Sequence, residues 1–116
     1  MIKYSEEYKA YVIEFDDAVI LWDDEPDDSC VQVAENVRNS YLRNINRIAE
    51  VIFDEIKDFF DVEDADDVLS KLGKPVINPD NGQVTYCECT FDDEHIISFE
   101  YMDDGFSDID YVTVDG

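Results

Sequence analysis

The sequence predicts an α+β fold: an antiparallel β-sheet, built from an N-terminal hairpin and a C-terminal meander, packed against one long and one short helix. Three observations predict it. Apolar residues between positions 30 and 60 recur at three- and four-residue steps, the spacing of one helix face. The segments on either side are short β-branched and aromatic runs punctuated by Asp, Asn, Gly and Pro. Hydrophobic residues make up 45% of the 116 residues and aromatics 13%, enough apolar matter for one core and one domain over 1–116.

The first element is a hairpin. YKAYVIEF (Tyr8–Phe15) and AVILW (Ala18–Trp22) are β-rich runs joined by Asp16 and Asp17. DDEPDD then forms an acidic connector in which Pro26 blocks further strand pairing. Val33, Val37, Tyr41, Ile45, Ile48, Ile52, Ile56 and Phe59 mark a single amphipathic helix over about 29–60, with Asp28 or Ser29 as its N-cap and a bend or break expected near Asn44–Asn46. Arg38, Arg43, Arg47 and Lys57 keep that helix nearly charge-balanced. A short helix follows, capped by Asp64, burying Val68, Leu69 and Leu72, and closed by Gly73. The remainder reads as strands at Val76–Asn78, Gln83–Phe91, His95–Tyr101 and Ile109–Val114, with Asn81-Gly82 the strongest hairpin turn. Alternation puts Ile97, Phe99 and Tyr101 on one buried face.

Charge sets this chain apart. It carries 31 Asp and Glu against 8 Lys and Arg, a formal net charge of −23. Such a surface repels nucleic acid and anionic membranes and attracts basic proteins and cations. A magnitude of roughly 2–8 serves solubility in a small domain, so the excess calls for a further explanation; halophilic adaptation is one, but the many large Ile, Phe and Tyr residues favour partner binding. No apolar run is long enough to span a membrane, and MIKYSEEYKAY has no signal-peptide h-region. Three cysteines give no disulfide framework, and the cytoplasm is the expected location.

Catalytic and metal patterns are weak. The acid clusters lack the spacing of a calcium loop. Cys87-Glu88-Cys89 would need Cys30 and His95 to complete a tetrahedral zinc site, and two small hydrophobes facing the core account for it better. His95 beside Asp92, Asp93 and Glu94 could be a carboxylate-oriented base, but no nucleophile motif accompanies it. Neither an enzyme nor a cofactor is expected.

Binding remains. From Pro75 to Gly116 there is no Lys or Arg, and acids gather in the turns and last strand. Asp92, Asp93, Glu94, Asp103, Asp104, Asp108 and Asp110, interleaved with Phe106 and Tyr111, therefore form the expected partner-binding surface. Aromatic anchors inside a charged rim are a common build for tight interfaces.

A β-rich start with Trp22 ending the second strand, YLRNI within the long helix, and the closing run LSKLGKPVINPDNGQVTYCECTFDDEHIISFEYMDDGFSDIDYVTVDG together resemble small acidic immunity-type proteins of bacterial polymorphic and contact-dependent toxin systems. The resemblance lies chiefly in Leu69–Gly116, in D-x-E-H-x-x-x-F-E and the final D-G. It implies a cytoplasmic protein that neutralises one cognate toxin, often a nuclease, by covering its active site or a nearby surface. It implies no residue-level roles, because contact surfaces in such families follow the toxin. The competing expectation is a DNA mimic that inhibits a restriction or CRISPR-type enzyme, and a third is a cation-binding module.

Overall fold

In the computed structural model the described residues form seven strands and three helices. Their order is β1 (Lys3–Ser5), β2 (Ala10–Glu14), β3 (Val19–Trp22), α1 (Cys30–Arg43), α2 (Ile45–Ile56), α3 (Ala65–Leu72), β4 (Val76–Asn78), β5 (Gln83–Tyr86), β6 (Ile96–Tyr101) and β7 (Ile109–Asp115). The structure describes residues 2–86, 96–101, 106 and 109–115, apart from the side chains at 110, 111 and 115.

All seven strands belong to one sheet, ordered β1 to β7 as in the chain. Every neighbouring pair is antiparallel except β3–β4, which run parallel, and the three helices lie between those two strands in sequence. Parallel neighbours need a long crossover, and the helical segment supplies it. The expected hairpin forms: Ile13 pairs with Ile20, and the Phe15 N–H donates to the Ala18 carbonyl across the Asp16-Asp17 turn at 2.8 Å. β1 is an addition to the expected set. Its KYS segment is too short for a period-2 pattern to register.

Strand alternation divides the sheet into two faces. Ile13, Ile20, Ile77, Val84, Phe99 and Ile97 follow the register across the sheet on one side, and all are buried. They share one core with Ala34, Tyr41, Ile48, Ile52, Ile56, Val68 and Leu72 from the helices. Burying an aliphatic or aromatic side chain of this kind contributes about 1.5–3 kcal/mol each. Ile97, Phe99 and Tyr101 share the buried face, as their spacing predicts. On the other face a small patch of Val12, Val19 and Val76, joined by Tyr8 and Leu21, gives way toward β6 to a Ser98–Thr113 hydroxyl pair at 2.8 Å. β7 departs from regular pairing. Ser98 opposes Thr113 while Glu100 opposes Asp110, so β7 accommodates an extra residue between those pairs as a bulge.

The single long helix is corrected to two, divided within the Asn44–Asn46 stretch where a break is expected. Asn44 adopts φ −110° and ψ 12°, which ends α1, and it serves at the same position as the N-cap of α2. Its side-chain Nδ2 donates to the Ser40 carbonyl at 2.8 Å, competing with the helix ladder as Asn side chains do. Apolar spacing continues through the break, and that is why periodicity alone merges the two segments.

The short helix forms as expected. Asp64 caps α3 by accepting the Asp67 N–H at 2.9 Å, and Gly73 ends it at φ 78°, ψ −157°. The expected β5 strand beyond Tyr86 falls outside the described residues.

Candidate functional site

Among the clefts on the described surface, one of about 530 Å³ sits where the 23–28 connector leaves β3 and enters α1. Trp22, Cys30, Val33, Val37 and Pro79 give it apolar walls; Asp24, Glu25, Asp27 and Asp80 stand around it, and no lining residue is basic. Trp22 is only 5% exposed, so its ring is fixed by the core rather than free on the surface.

Local hydrogen bonds hold the cleft open. Asp27 accepts the Ser29 backbone N–H at 2.9 Å, also accepts the Ser29 hydroxyl, and its carbonyl accepts the Cys30 N–H at 3.1 Å. Asp27 thereby fixes Ser29 at the start of α1 and takes the first helical N–H on its carbonyl, while Ser29, though positioned as N-cap, makes no side-chain cap bond. The Ser29 hydroxyl, with the Ser29 N–H second, holds the Asp27 carboxyl below the usual carboxylate range. Next in the chain to the lining residues Pro79 and Asp80, the buried Asn78 donates to Asp23 at 3.4 Å and accepts the Asp80 N–H at 3.0 Å. One side chain therefore links the connector to the β4–β5 turn. Among the described residues, Asp24, Glu25 and Asp80 form no ion pair.

A second cleft of about 440 Å³ adjoins the first across Glu25, Pro26, Asp27 and Cys30, with Ile2, Tyr4 and Tyr11 on its far side. Tyr4 packs edge-on to Tyr11 at 5.3 Å and is 51% exposed. The third, about 300 Å³, lies at the other end of β3 beside Asp16, Asp17, Tyr41 and Leu72. There Asp17 takes a two-pronged salt bridge from Arg38, at 2.7 and 2.9 Å. Arg38 also lies over the Phe15 ring at 5.1 Å. The Arg38 hydrogen bonds hold the Asp17 carboxyl below its usual range, against a smaller opposing effect of burial. Lys74 gives this cleft a cation of its own, and the neighbouring Arg38–Asp17 pair pins the hairpin turn to α1.

The sequence-derived surface is only partly visible. Asp92, Asp93, Glu94, Asp103, Asp104 and Asp108 lie outside the described residues, as do Cys87, Cys89 and His95. Asp110 and Tyr111 lie on β7, the strand at one edge of the sheet, where the register sets Asp110 opposite Glu100. Phe106 is a correction. It is fully buried, stacked at 4.4 Å on Tyr101 and edge-on to Tyr41 at 5.9 Å, so it belongs to the core and cannot serve as a surface anchor. Its φ of 53° is rare for a residue with a large side chain; the aromatic contacts hold that conformation. Among the described aromatics the exposed ones are Phe59, 74% accessible and close to Asp58 and Asp61, and Tyr4 on β1.

The connector cleft is the site that sequence reasoning overlooked. Its signal was nonetheless present: DDEPDD follows directly on the only tryptophan, an acid run beside an aromatic like the one read in the tail. Among the described residues, no three His, Cys, Asp or Glu side chains converge as a metal site would require, and no helix is long and apolar enough to cross a membrane.

Comparison with known proteins returns no match: no family model, no curated protein and no solved structure resembles this chain.

Proposed function

We propose that this protein is a cytoplasmic inhibitor of the immunity type, which neutralises a basic toxin domain of nuclease character by occluding its active site with an acidic surface. One observation carries the reading. The chain has a net charge of −23, and none of the described carboxylates is buried. Charge of this size, held outward, works against the stability of a compact domain and favours encounter with a positive partner. A nuclease must present lysines and arginines to grip phosphate, and those groups are the natural complement of such a surface. The tail acids, from Asp92 to Asp110, and the connector acids, from Asp23 to Asp28, would supply two acidic contact regions.

Titration calorimetry against a basic toxin domain encoded beside this gene tests the reading. Tight, salt-sensitive, one-to-one binding that abolishes nuclease activity is the expected result. Loss of Asp103, Asp104, Asp108 and Asp110 together should weaken it, and unchanged affinity would remove the tail from the contact surface. Inhibition of several unrelated DNA-binding enzymes, with no preference for the neighbouring product, would instead select the DNA-mimic reading.

A further inference from the structure

We propose that the cleft beneath the 23–28 connector is a receptor for an arginine side chain of a basic protein partner. The inference rests on the reading of this chain as a binder of basic proteins, and it adds the place and the chemistry of recognition. The cleft combines three properties. Its walls are apolar, with Trp22 and Val37 among them, so it can take the aliphatic stem of a long side chain. Its rim offers Asp24, Glu25, Asp27 and Asp80 with no basic lining residue to neutralise them. Its shape is set beforehand by the Asp27–Ser29 and Asn78–Asp80 hydrogen bonds, so little order remains to be gained on binding.

Charge selects the occupant. A second copy of a chain at −23 is repelled, as are nucleic acids and anionic lipids. A metal ion needs converging oxygen ligands, and no such group of three exists among the described residues. A guanidinium is planar, weakly hydrated and able to bridge several carboxylates at once, which suits a half-apolar site better than the compact, strongly hydrated ammonium of lysine. The neighbouring clefts fit less well, because Lys3 lines one and Lys74 the other.

Trp22 is the only tryptophan in the chain and lines this cleft, so its emission reports occupancy directly. The experiment titrates the full chain, at about 0.15 M salt to screen the diffuse surface field, with capped Gly-Arg-Gly and, in parallel, capped Gly-Lys-Gly. The expected result is a saturable change in Trp22 emission, several-fold tighter for arginine. Asp24→Asn, Glu25→Gln and Asp80→Asn combined should weaken it about tenfold, since each exposed charge pair contributes only about a few-fold. Glu6→Gln, Glu50→Gln and Glu55→Gln, which remove equal charge away from the cleft, should leave it unchanged. All six residues are exposed, and circular dichroism checks that both variants keep the fold.

A response that never saturates overturns the proposal, as does equal weakening by the two triple variants, or lysine binding as tightly as arginine. The broader reading fails separately. A toxin domain that binds the cleft variant at full affinity sinks the cleft and leaves the inhibitor standing. A Trp22 response to arginine without any basic partner bound does the reverse.

Discussion

At the scale of single residues, the core is decided by polar atoms as much as by apolar ones. The Tyr41 and Tyr86 hydroxyls meet at 2.6 Å within it, one from α1 and one from β5. Each satisfies the other, and both rings are buried. Tyr41→Phe or Tyr86→Phe alone would strand the remaining hydroxyl in an apolar setting, at a cost of about 1–3 kcal/mol. The double variant removes both and should cost clearly less than the sum, a coupling that denaturant unfolding of all four proteins measures. Fully additive single effects would show that the pair is not a unit. Alkaline pH probes the same contact. Burial pushes the Tyr41 phenol up to about 12, and raises Tyr86 as well. The folded protein keeps these protons where the unfolded chain, with tyrosine near 10, has lost them. Their contribution is therefore complete below about pH 10 and is lost as pH climbs through about 12; in the double Phe variant that decline should flatten. Phe106 packs beside Tyr41, and its burial was not legible in the sequence. Surrounded by Asp103, Asp104, Gly105 and Asp108 it has the local context of a surface loop, and contact with Tyr101 on β6 and, at long range, with Tyr41 on α1 places it inside.

At the scale of elements, the legible parts are those whose signals are local. The Asp16-Asp17 hairpin, the Asp64 cap with its Gly73 stop, and the Asn81-Gly82 turn each require only a handful of adjacent residues, and each forms where the residues place it. Gly82 shows how strict such a signal can be. Its φ is 65°, its carbonyl accepts the Tyr101 N–H at 2.8 Å, and a Cβ there would lie 2.7 Å from the Tyr101 carbonyl oxygen. Both the conformation and the space exclude a side chain, because the obstacle is backbone that cannot swing aside. Gly82→Ala should therefore destabilise by about 1–3 kcal/mol or more and loosen the junction of β5 with β6. Hydrogen exchange at Tyr101 would register that loosening, and an unchanged midpoint with unchanged exchange would refute it. The illegible parts are the non-local ones. Nothing near Val19 or Val76 announces that β3 and β4 pair in parallel across more than fifty intervening residues. The stop at Asn44 falls within the Asn44–Asn46 stretch where a break is expected, although the apolar periodicity itself runs through it. The candidate site divides the same way. The acid run at 23–28 can be read directly, but its closeness to Asp80 follows from the parallel pairing and from Asn78 reaching Asp23.

At the scale of the whole molecule, the dominant quantity is charge confined to a small volume. A formal −23 is held within a radius of gyration of 13.9 Å, comparable to the screening length of dilute salt. The described ion pairs are few and sit mostly at the surface, where each contributes little; Arg38–Asp17 is the best placed. Repulsion is thus largely uncompensated within the protein, and the apolar core must offset it. Screening should then stabilise the fold. Raising monovalent salt from about 0.01 M to about 0.15 M shortens the screening length from about 30 to 8 Å and should lift the melting temperature by about 4 °C or more, the equivalent of roughly 1 kcal/mol. Scanning calorimetry at fixed pH measures this directly. A melting temperature flat across that range would mean that the surface charge costs the fold little and that the argument for a partner from charge is correspondingly weaker. Calcium and magnesium extend the test. Both should raise the melting temperature at lower concentration than sodium does, and by equal amounts, because a diffuse field distinguishes ions by valence alone. A larger effect of calcium would instead mark a site of converging oxygen ligands, and the surface would have to be read as built for cations rather than for a basic protein.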